Sequence, residues 1–213
     1  MNFESLIQVV GTQAHFDLPT LVQAFDEPRE SIRVQLSRWL RKGKVVHLRR
    51  GHYTLAESYR RVPVSPASLA NALHRPSYLS GLWALGFYGL IPEQVHWLTS
   101  VTTRPPQHFE NAFGVFDYRN LKREAFFGYR VLSEGSTDIL VAEPEKSLLD
   151  HWHLNPGEWT RERMEEMRYQ NTECIDAARL RTFAIRFGSP RLERAVERWL
   201  HLVVAGQEGT VSL

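Results

Sequence analysis

The residues of this chain whose types and spacing most clearly suit ligand binding are the arginines of its first quarter. Arg33, Arg38 and Arg41 recur at intervals that place them, with Val34 and Ser37, toward one side of a helix. A guanidinium group donates hydrogen bonds in a fixed fork to phosphate oxygens and guanine edges, and an apolar side chain such as valine packs on a thymine methyl group. The spacing therefore predicts a surface that binds an anionic polymer.

The opposite side of the same helix is apolar and should face a hydrophobic core. Its stripe consists of Ile32, Leu36, Trp39 and Leu40. We expect the helix to be capped by Asp26, an N-cap type of residue, with Pro28 in the first turn, where a missing N–H costs nothing. Gly43 should end the helix.

A predicted β-hairpin follows this helix directly. Residues 45–50 and 53–55 are rich in β-branched and aromatic side chains, and Gly51-His52 supplies a turn between them. A helix with an arginine face, followed by a hairpin with Arg49 and Arg50 at its tip, is the layout of a winged helix-turn-helix. In that layout the helix enters the major groove of DNA and the hairpin, or wing, lies on the backbone.

Two further helices should precede this stretch. Phe3–Val10 has apolar residues at helical spacing, and 19–25 should form a second helix with Asp17 or Leu18 near its cap. Residues 15–18 are expected to be extended and to join the wing. Three helices and a hairpin predict a winged-helix DNA-binding domain over residues 1–61.

The side chains expected to contact DNA differ in role. Those on the helix should read base edges, whereas those in the wing should lie on phosphates and add affinity without sequence preference. The base-reading group is Arg33, Val34, Ser37, Arg38 and Arg41. The complete expected set is Arg29, Arg33, Val34, Ser37, Arg38, Arg41, Lys42, Arg49, Arg50 and His52.

Charge is distributed unevenly along the chain. Residues 29–61 contain ten lysines and arginines against two acids, a net charge of +8, whereas the whole chain carries +2, so that the remainder carries −6. A basic block in an otherwise acidic protein is the electrostatic pattern expected of a nucleic-acid contact. A solvated basic helix and hairpin without a ligand is the alternative.

Composition limits the other classes. The chain has 213 residues, of which 43% are hydrophobic, enough for one large or two small domains with a real core. Its longest apolar run, 79–91, is too short to span a bilayer, and no secretion signal is recognised. The single cysteine, Cys174, excludes an intrachain disulfide and a multi-cysteine zinc site. We expect a cytoplasmic protein with no cofactor and no membrane partner.

Catalytic motifs are missing from the sequence. There is no G-x-S-x-G, no Walker-type phosphate loop and no G-x-G-x-x-G, and the acids and histidine beside the basic face, Asp17, Glu30 and His52, are scattered. Cys174 has no histidine nearby in sequence and is interpreted as a packing residue. These observations favour a protein that is not an enzyme.

Residues 66–205 are expected to form a second, α+β domain after an extended connector at 60–66. Two helices should come first: Pro66–Leu73, capped by Ser65, and a second helix that starts after Pro76, is capped by Ser77 and runs to Tyr88. A small antiparallel sheet should follow, with a turn at Gly135-Ser136. Its expected strands are 95–103, 113–118, 126–132 and 137–141. The expected C-terminal helices are 144–152, 160–169, 174–187 and 190–204.

Three segments of this second part resemble a known family. They are RPSYLS at 75–80, ALGFYGLIP at 84–92 and AEPEKSLLD at 142–150. In this order and spacing, after a predicted winged helix, they resemble the signature of AbiEi-type antitoxins, the antitoxin half of type IV abortive-infection toxin-antitoxin systems. The resemblance covers most of the chain and thins after about residue 169.

The resemblance implies a bacterial antitoxin whose winged helix binds inverted repeats in the promoter of its own operon and represses it. It implies a C-terminal domain that neutralises a nucleotidyltransferase-type toxin without forming a stable complex. Carried over to this chain, the recognition helix is 29–42 and the wing is 49–52. The C-terminal domain here is short, and its terminal helices match no family feature.

Alternatives remain at several positions. A palindromic DNA site implies two copies, either as a dimer or as two monomers side by side. The winged helix could instead be a protein-docking module that binds and inhibits the toxin directly. His151 and His153 lie two apart on a helix and point away from each other, which argues against a shared metal ion.

Other polar and aromatic residues of the second domain have structural interpretations. Glu143 and Glu145 suit a helix N-terminus, and Lys146 is spaced to pair with Asp150. Trp152 and Trp159 are the tryptophans expected to be partly exposed at a partner surface.

Overall fold

A computed structural model describes residues 1–134 and 137–210 of the chain. Within these ranges the fold is α+β, with one three-stranded antiparallel sheet near the N-terminus and one six-stranded mixed sheet after it. No helix in the described ranges combines the length and the apolar character needed to cross a bilayer.

The N-terminal unit, residues 1–61, contains three helices and the smaller sheet. Its elements are α1 (Phe3–Val10), β1 (Phe16–Asp17), α2 (Leu18–Ala24), α3 (Arg29–Arg41), β2 (Val45–Arg49) and β3 (His52–Leu55). The strand order is β1-β3-β2, because β1 pairs with β3 through Phe16 opposite Tyr53. The predicted extended segment before α2 is therefore confirmed, and it joins the hairpin as expected.

The apolar stripe predicted for α3 is confirmed. Ile32 and Leu36 are fully buried against side chains of α1, α2 and the small sheet, and Trp39 and Leu40 pack partly buried at the edge of the same core. The predicted stop is also correct, since Gly43 has a φ of +64°, a left-handed conformation that glycine adopts without strain.

The predicted cap of α3 is wrong. The N-cap is Pro28, which makes no side-chain cap hydrogen bond, and the helix begins at Arg29. A cap at Asp26 would require Glu27 to be helical, but a residue that precedes proline is disfavoured in the helical region. The helix therefore starts only after the proline.

The second part of the chain, residues 66–210, is the C-terminal unit. Its helices are α4 (Pro66–Leu73), α5 (Gly81–Phe87), α6 (Pro144–Leu154), α7 (Arg161–Glu166), α8 (Ala177–Phe187) and α9 (Pro190–Thr210). Its strands are β4 (Ser77–Leu79), β5 (Trp97–Thr102), β6 (Gln107–Asn111), β7 (Gly114–Asn120), β8 (Tyr129–Glu134) and β9 (Thr137–Ala142). The predicted Ser65 cap of α4 is confirmed, since its hydroxyl accepts from the backbone N–H of Ser68.

The predicted small antiparallel sheet is wrong. The sheet has the order β6-β7-β5-β4-β9-β8, and the pairs β5 with β7 and β4 with β9 are parallel. Two of its strands were not expected. β6 is a short polar edge strand without the apolar alternation that predicts a strand, and β4 was assigned to a helix.

The helix expected over 76–88 is divided between β4 and α5. Ser77, Tyr78 and Leu79 are all buried in the middle of the sheet, and a strand buried on both faces shows no alternation in its sequence. The helix starts later, at Gly81, after Ser80 rather than Ser77.

Two further boundaries differ from expectation. The strand expected from residue 126 begins at Tyr129, after Gly128 with a φ of +68°. The turn predicted at Gly135-Ser136 lies outside the described residues. The helix expected from Cys174 begins at Ala177, because Asp176 caps it by accepting two backbone N–H bonds, and Cys174 lies in a preceding 3-10 turn.

The prediction that Trp152 and Trp159 are partly exposed is wrong. Both are buried in the core that α6 forms with α7, α8 and α9. The indole N–H of Trp159 donates to the Trp152 carbonyl at 3.0 Å, and that of Trp152 donates to the Tyr169 hydroxyl at 3.0 Å. Because both polar atoms are satisfied inside the protein, burial of these rings carries no unpaired donor.

A buried ion pair within α6 is hydrogen-bonded to Tyr78 of β4. Lys146 and Asp150, predicted to pair at i,i+4, do so with both side chains fully buried. The Asp150 carboxylate also accepts from the hydroxyls of Tyr78 at 3.1 Å and Ser80 at 2.7 Å. Burial lowers the pKa of Lys146, although Asp150 opposes this shift. These hydrogen bonds fix the position of α6 on β4, a central strand of the large sheet.

We predict that Lys146→Met lowers the free energy of unfolding by about 3–5 kcal/mol, because it leaves the Asp150 charge buried without its cation. Urea denaturation measures this loss. The matched control is Arg161→Met, which removes an exposed i,i+4 pair with Glu165 and should cost less than about 1 kcal/mol. Equal losses in the two variants would contradict the assignment.

Candidate nucleic-acid interface

The outward face of α3 is open to solvent along its whole length. Every side chain of the predicted base-reading group is exposed, and Val34 retains 50% of its accessible surface. This exposure follows from the burial of Ile32 and Leu36, which fixes the rotation of the helix about its axis. The exposed residues of the predicted set on α3 and its C-cap are Arg29, Arg33, Val34, Ser37, Arg38, Arg41 and Lys42.

Most cations of this face have no acidic partner in the described ranges. Arg33 is the exception, since its Nη1 lies 2.6 Å from an Oε1 of Glu30, one turn earlier. Both side chains are largely exposed, so the pair is weak and can open to a competing anion. Nε of Arg41 donates to the carbonyl oxygen of Ser37 at 3.5 Å, and neither Arg38 nor Arg41 has an ion pair among the described residues.

The β2–β3 turn stands beside the N-terminal end of α3. Arg50 is exposed at this turn, and a cleft of about 560 Å³ separates it from Arg29 and Arg33. His52 lines the same cleft and is half-buried. Burial, followed by the charge of Arg49, lowers the pKa of His52, so the ring is neutral at pH 7. The turn therefore adds to the surface of α3 the cation of Arg50, which has no ion-pair partner among the residues that the structure describes.

Arg49 has a different environment from Arg50. Its Nη1 donates to the Leu73 carbonyl oxygen at the end of α4, at 2.7 Å, and its guanidinium lies 5.3 Å from the centre of the Phe109 ring in β6. The side chain is partly buried between the two units of the chain. Arg49 therefore attaches the hairpin to the C-terminal unit rather than extending toward a ligand.

Two more contacts hold the hairpin to the C-terminal unit. Leu48 is 2% exposed and belongs to the core that α4 forms with the large sheet. Its carbonyl oxygen accepts from the side-chain amide of Asn111 at 3.0 Å. This junction was not predicted, because a leucine in a strand and an arginine at its end give no indication of which distant residues they contact.

Other residues considered from sequence do not gather into a site. His151 is buried against Trp159, and burial with the charge of Arg163 lowers its pKa to about 4. His153 packs separately on Phe187. In the described part of the chain, no three histidine, cysteine, aspartate or glutamate side chains are arranged to hold a metal ion.

The two acids at the start of α6 and the single cysteine are also accounted for. Glu145 accepts from the backbone N–H of Asp176 at 2.8 Å, and Glu143 lies 3.2 Å from a guanidinium nitrogen of Arg179. These contacts tie α6 to the start of α8. Cys174 is exposed, so its interpretation as a packing residue is wrong. Partial burial of the thiol, followed by the charge of Glu173, raises the pKa of Cys174. A raised pKa does not favour a nucleophilic thiolate.

Comparison of the chain with models of known protein families gives no match, and a search of curated proteins gives none either.

We predict that Arg49→Ala lowers the free energy of unfolding by about 1.5–3 kcal/mol, because it removes a charge-assisted hydrogen bond at the junction. Arg50→Ala, one residue along the same hairpin, should change it by less than about 0.5 kcal/mol. Chemical denaturation of both variants measures the difference. Similar stabilities for the two would show that Arg49 does not hold the units together.

Proposed function

We propose that this chain is a double-stranded DNA-binding protein that represses the promoter of its own operon, and that it acts as the antitoxin of a type IV toxin-antitoxin system. The observation that carries the DNA-binding part is the exposed, largely unpaired cationic face of α3 beside the cation of the β2–β3 turn. The antitoxin part depends on the family resemblance of the motifs at 75–80, 84–92 and 142–150.

The arrangement of the N-terminal unit supports a winged helix-turn-helix. Its order is helix, short strand, two helices and a hairpin, with the short strand added to the hairpin. In such a domain α3 is the recognition helix and the β2–β3 hairpin is the wing. We assign α3 to the major groove and Arg50 to the phosphate backbone, whereas Arg49 is engaged at the junction.

The chemistry of α3 suits the reading of base edges. Arg38 and Arg41 project from the exposed face as bidentate donors to guanine, and Val34 offers an apolar surface to a thymine methyl group. The hydroxyl of Ser37, which lies between Val34 and Arg41 in sequence, can donate or accept a hydrogen bond. Phosphate neutralisation by the surrounding cations supplies the sequence-independent part of the affinity, so binding weakens as salt is added.

We predict that Arg41→Ala weakens binding to the promoter of the chain's own operon by about 1–3 kcal/mol and reduces its preference over a scrambled duplex. Arg50→Ala should weaken both duplexes about equally and reduce the salt slope by about 1. Fluorescence anisotropy with both duplexes, at several salt concentrations, measures these effects. Arg161→Ala, an exposed arginine on α7, is the control and should change neither affinity.

The division of roles fails if all three variants lose affinity alike for both duplexes. DNA binding itself fails if the wild-type chain shows no salt-dependent binding to either duplex. Sedimentation of the chain with and without the promoter duplex then distinguishes a preformed dimer from two monomers that meet on inverted repeats.

The antitoxin part predicts protection of growth. Co-expression of the chain with the product of an adjacent nucleotidyltransferase gene should restore growth that the toxin alone arrests. Arg41→Ala should retain this protection if neutralisation is separate from repression. A pull-down provides the competing outcome: stable capture of the toxin without any DNA binding would favour the protein-docking role instead.

A further inference from the structure

A second cationic cleft lies between the two units of the chain, next to the proposed wing. Its volume is about 280 Å³. The N-terminal unit contributes His15, Asp17 and His52, and the C-terminal unit contributes Arg75 and Arg104 together with the apolar end of α4. We propose that this cleft binds a small free phosphate compound, either inorganic phosphate or a phosphate monoester.

The two arginines give the cleft its charge. Both are exposed residues, and neither has an ion-pair partner among the residues that the structure describes. Nη1 of Arg104 donates to the carbonyl oxygen of Arg75 at 3.2 Å, which keeps the two residues adjacent. Both arginines line the cleft, and guanidinium groups are the donors that bind phosphate oxygens in a fixed fork.

Among the described residues that line the cleft, Asp17 is the one acid, and one of its carboxylate oxygens caps a helix. Oδ1 of Asp17 accepts from the backbone N–H of Thr20 at 2.9 Å and from its hydroxyl at 2.6 Å, and so caps α2. Burial opposes ionisation of Asp17, but the hydrogen bonds from Thr20 lower its pKa overall. Its single negative charge offsets one of the two arginine charges, so the lining of the cleft stays net positive.

The histidines supply a second, independent indication. Nδ1 of His52 is buried and has no hydrogen-bond partner in the described structure, although buried polar atoms in proteins are normally paired. Burial and the charge of Arg75 lower the pKa of His15, and burial and the charge of Arg49 lower that of His52. The charge of Asp17 opposes both shifts, but the arginine charge has the larger effect at each ring, so a bound dianion would compensate a net positive field.

The size of the cleft favours a small ligand. Pockets for drug-sized molecules have volumes from roughly 300 to 1,000 Å³, and this cleft lies at the lower limit of that range. Because side chains of both units line the cleft, a ligand there contacts His52 at the start of β3 and Leu73 at the end of α4 together. A bound ligand would stabilise the junction between the two units. If the proposed function holds, it would also favour one orientation of the wing toward DNA.

Isothermal titration calorimetry of inorganic phosphate into the full-length chain tests the proposal, with sodium chloride used to keep the ionic strength constant. We expect saturable binding at one site per chain. Arg75→Gln should weaken it by about tenfold or more, because a charge-assisted contact is lost. This variant removes no hydrogen bond that the structure shows, so folding is expected to persist. Arg161→Gln is the matched control and should leave the affinity unchanged.

Two results would overturn the proposal, and a third would overturn only the proposed function. Heat that does not saturate, or equal binding by Arg75→Gln and wild type, removes the site. If phosphate does not bind but Arg75→Gln weakens promoter binding, then the arginines serve the DNA backbone and the free-ligand proposal is wrong. If phosphate binds and no duplex does, the cleft stands and the proposed function fails, so the two failures can be told apart.

Discussion

The burial of Ile32 and Leu36 is the constraint that fixes the orientation of α3 and the side on which its arginines are exposed. Both side chains are buried in the core of the N-terminal unit, and rotation of α3 about its axis would expose them to water. One face of the helix therefore lies in the core and the other faces solvent. Their burial contributes about 1.5–3 kcal/mol each. An arginine face on the solvent side is therefore a property of the folded state, and it exists before any ligand arrives.

A second constraint sets the position of that face relative to the rest of the molecule. Leu48 lies in the core of the C-terminal unit, and Arg49 and Asn111 bind backbone carbonyl groups across the junction. The hairpin beside α3 is thus attached to the large sheet. Of its two adjacent arginines, Arg49 holds the hairpin to the C-terminal unit, whereas Arg50 is exposed to solvent. The same attachment creates the cationic cleft beneath the turn, where both units contribute side chains.

Local patterns in the sequence could predict α3, its buried stripe and its exposed arginines, because spacing along one helix is sufficient. The same reasoning failed for β4, whose short buried strand has partners in β5 and β9, about 20 and 60 residues away in sequence. It paired Lys146 with Asp150 but gave no sign that the pair is buried. The sequence also gives no reason to distinguish Arg49 from Arg50, because the partner of Arg49 is the backbone carbonyl group of Leu73, 24 residues later. Spacing identifies a cation, but only tertiary structure identifies what it contacts.

The most direct test of the central claim is to map the DNA contact residue by residue. Amide chemical shifts of the isotope-labelled chain, recorded by NMR with and without promoter duplex, report which backbone groups change environment. We expect the largest changes in residues 29–42 and 50–52, with the amides of α8 and α9 unchanged. Changes confined to α8 and α9, with α3 unaffected, would contradict the central claim.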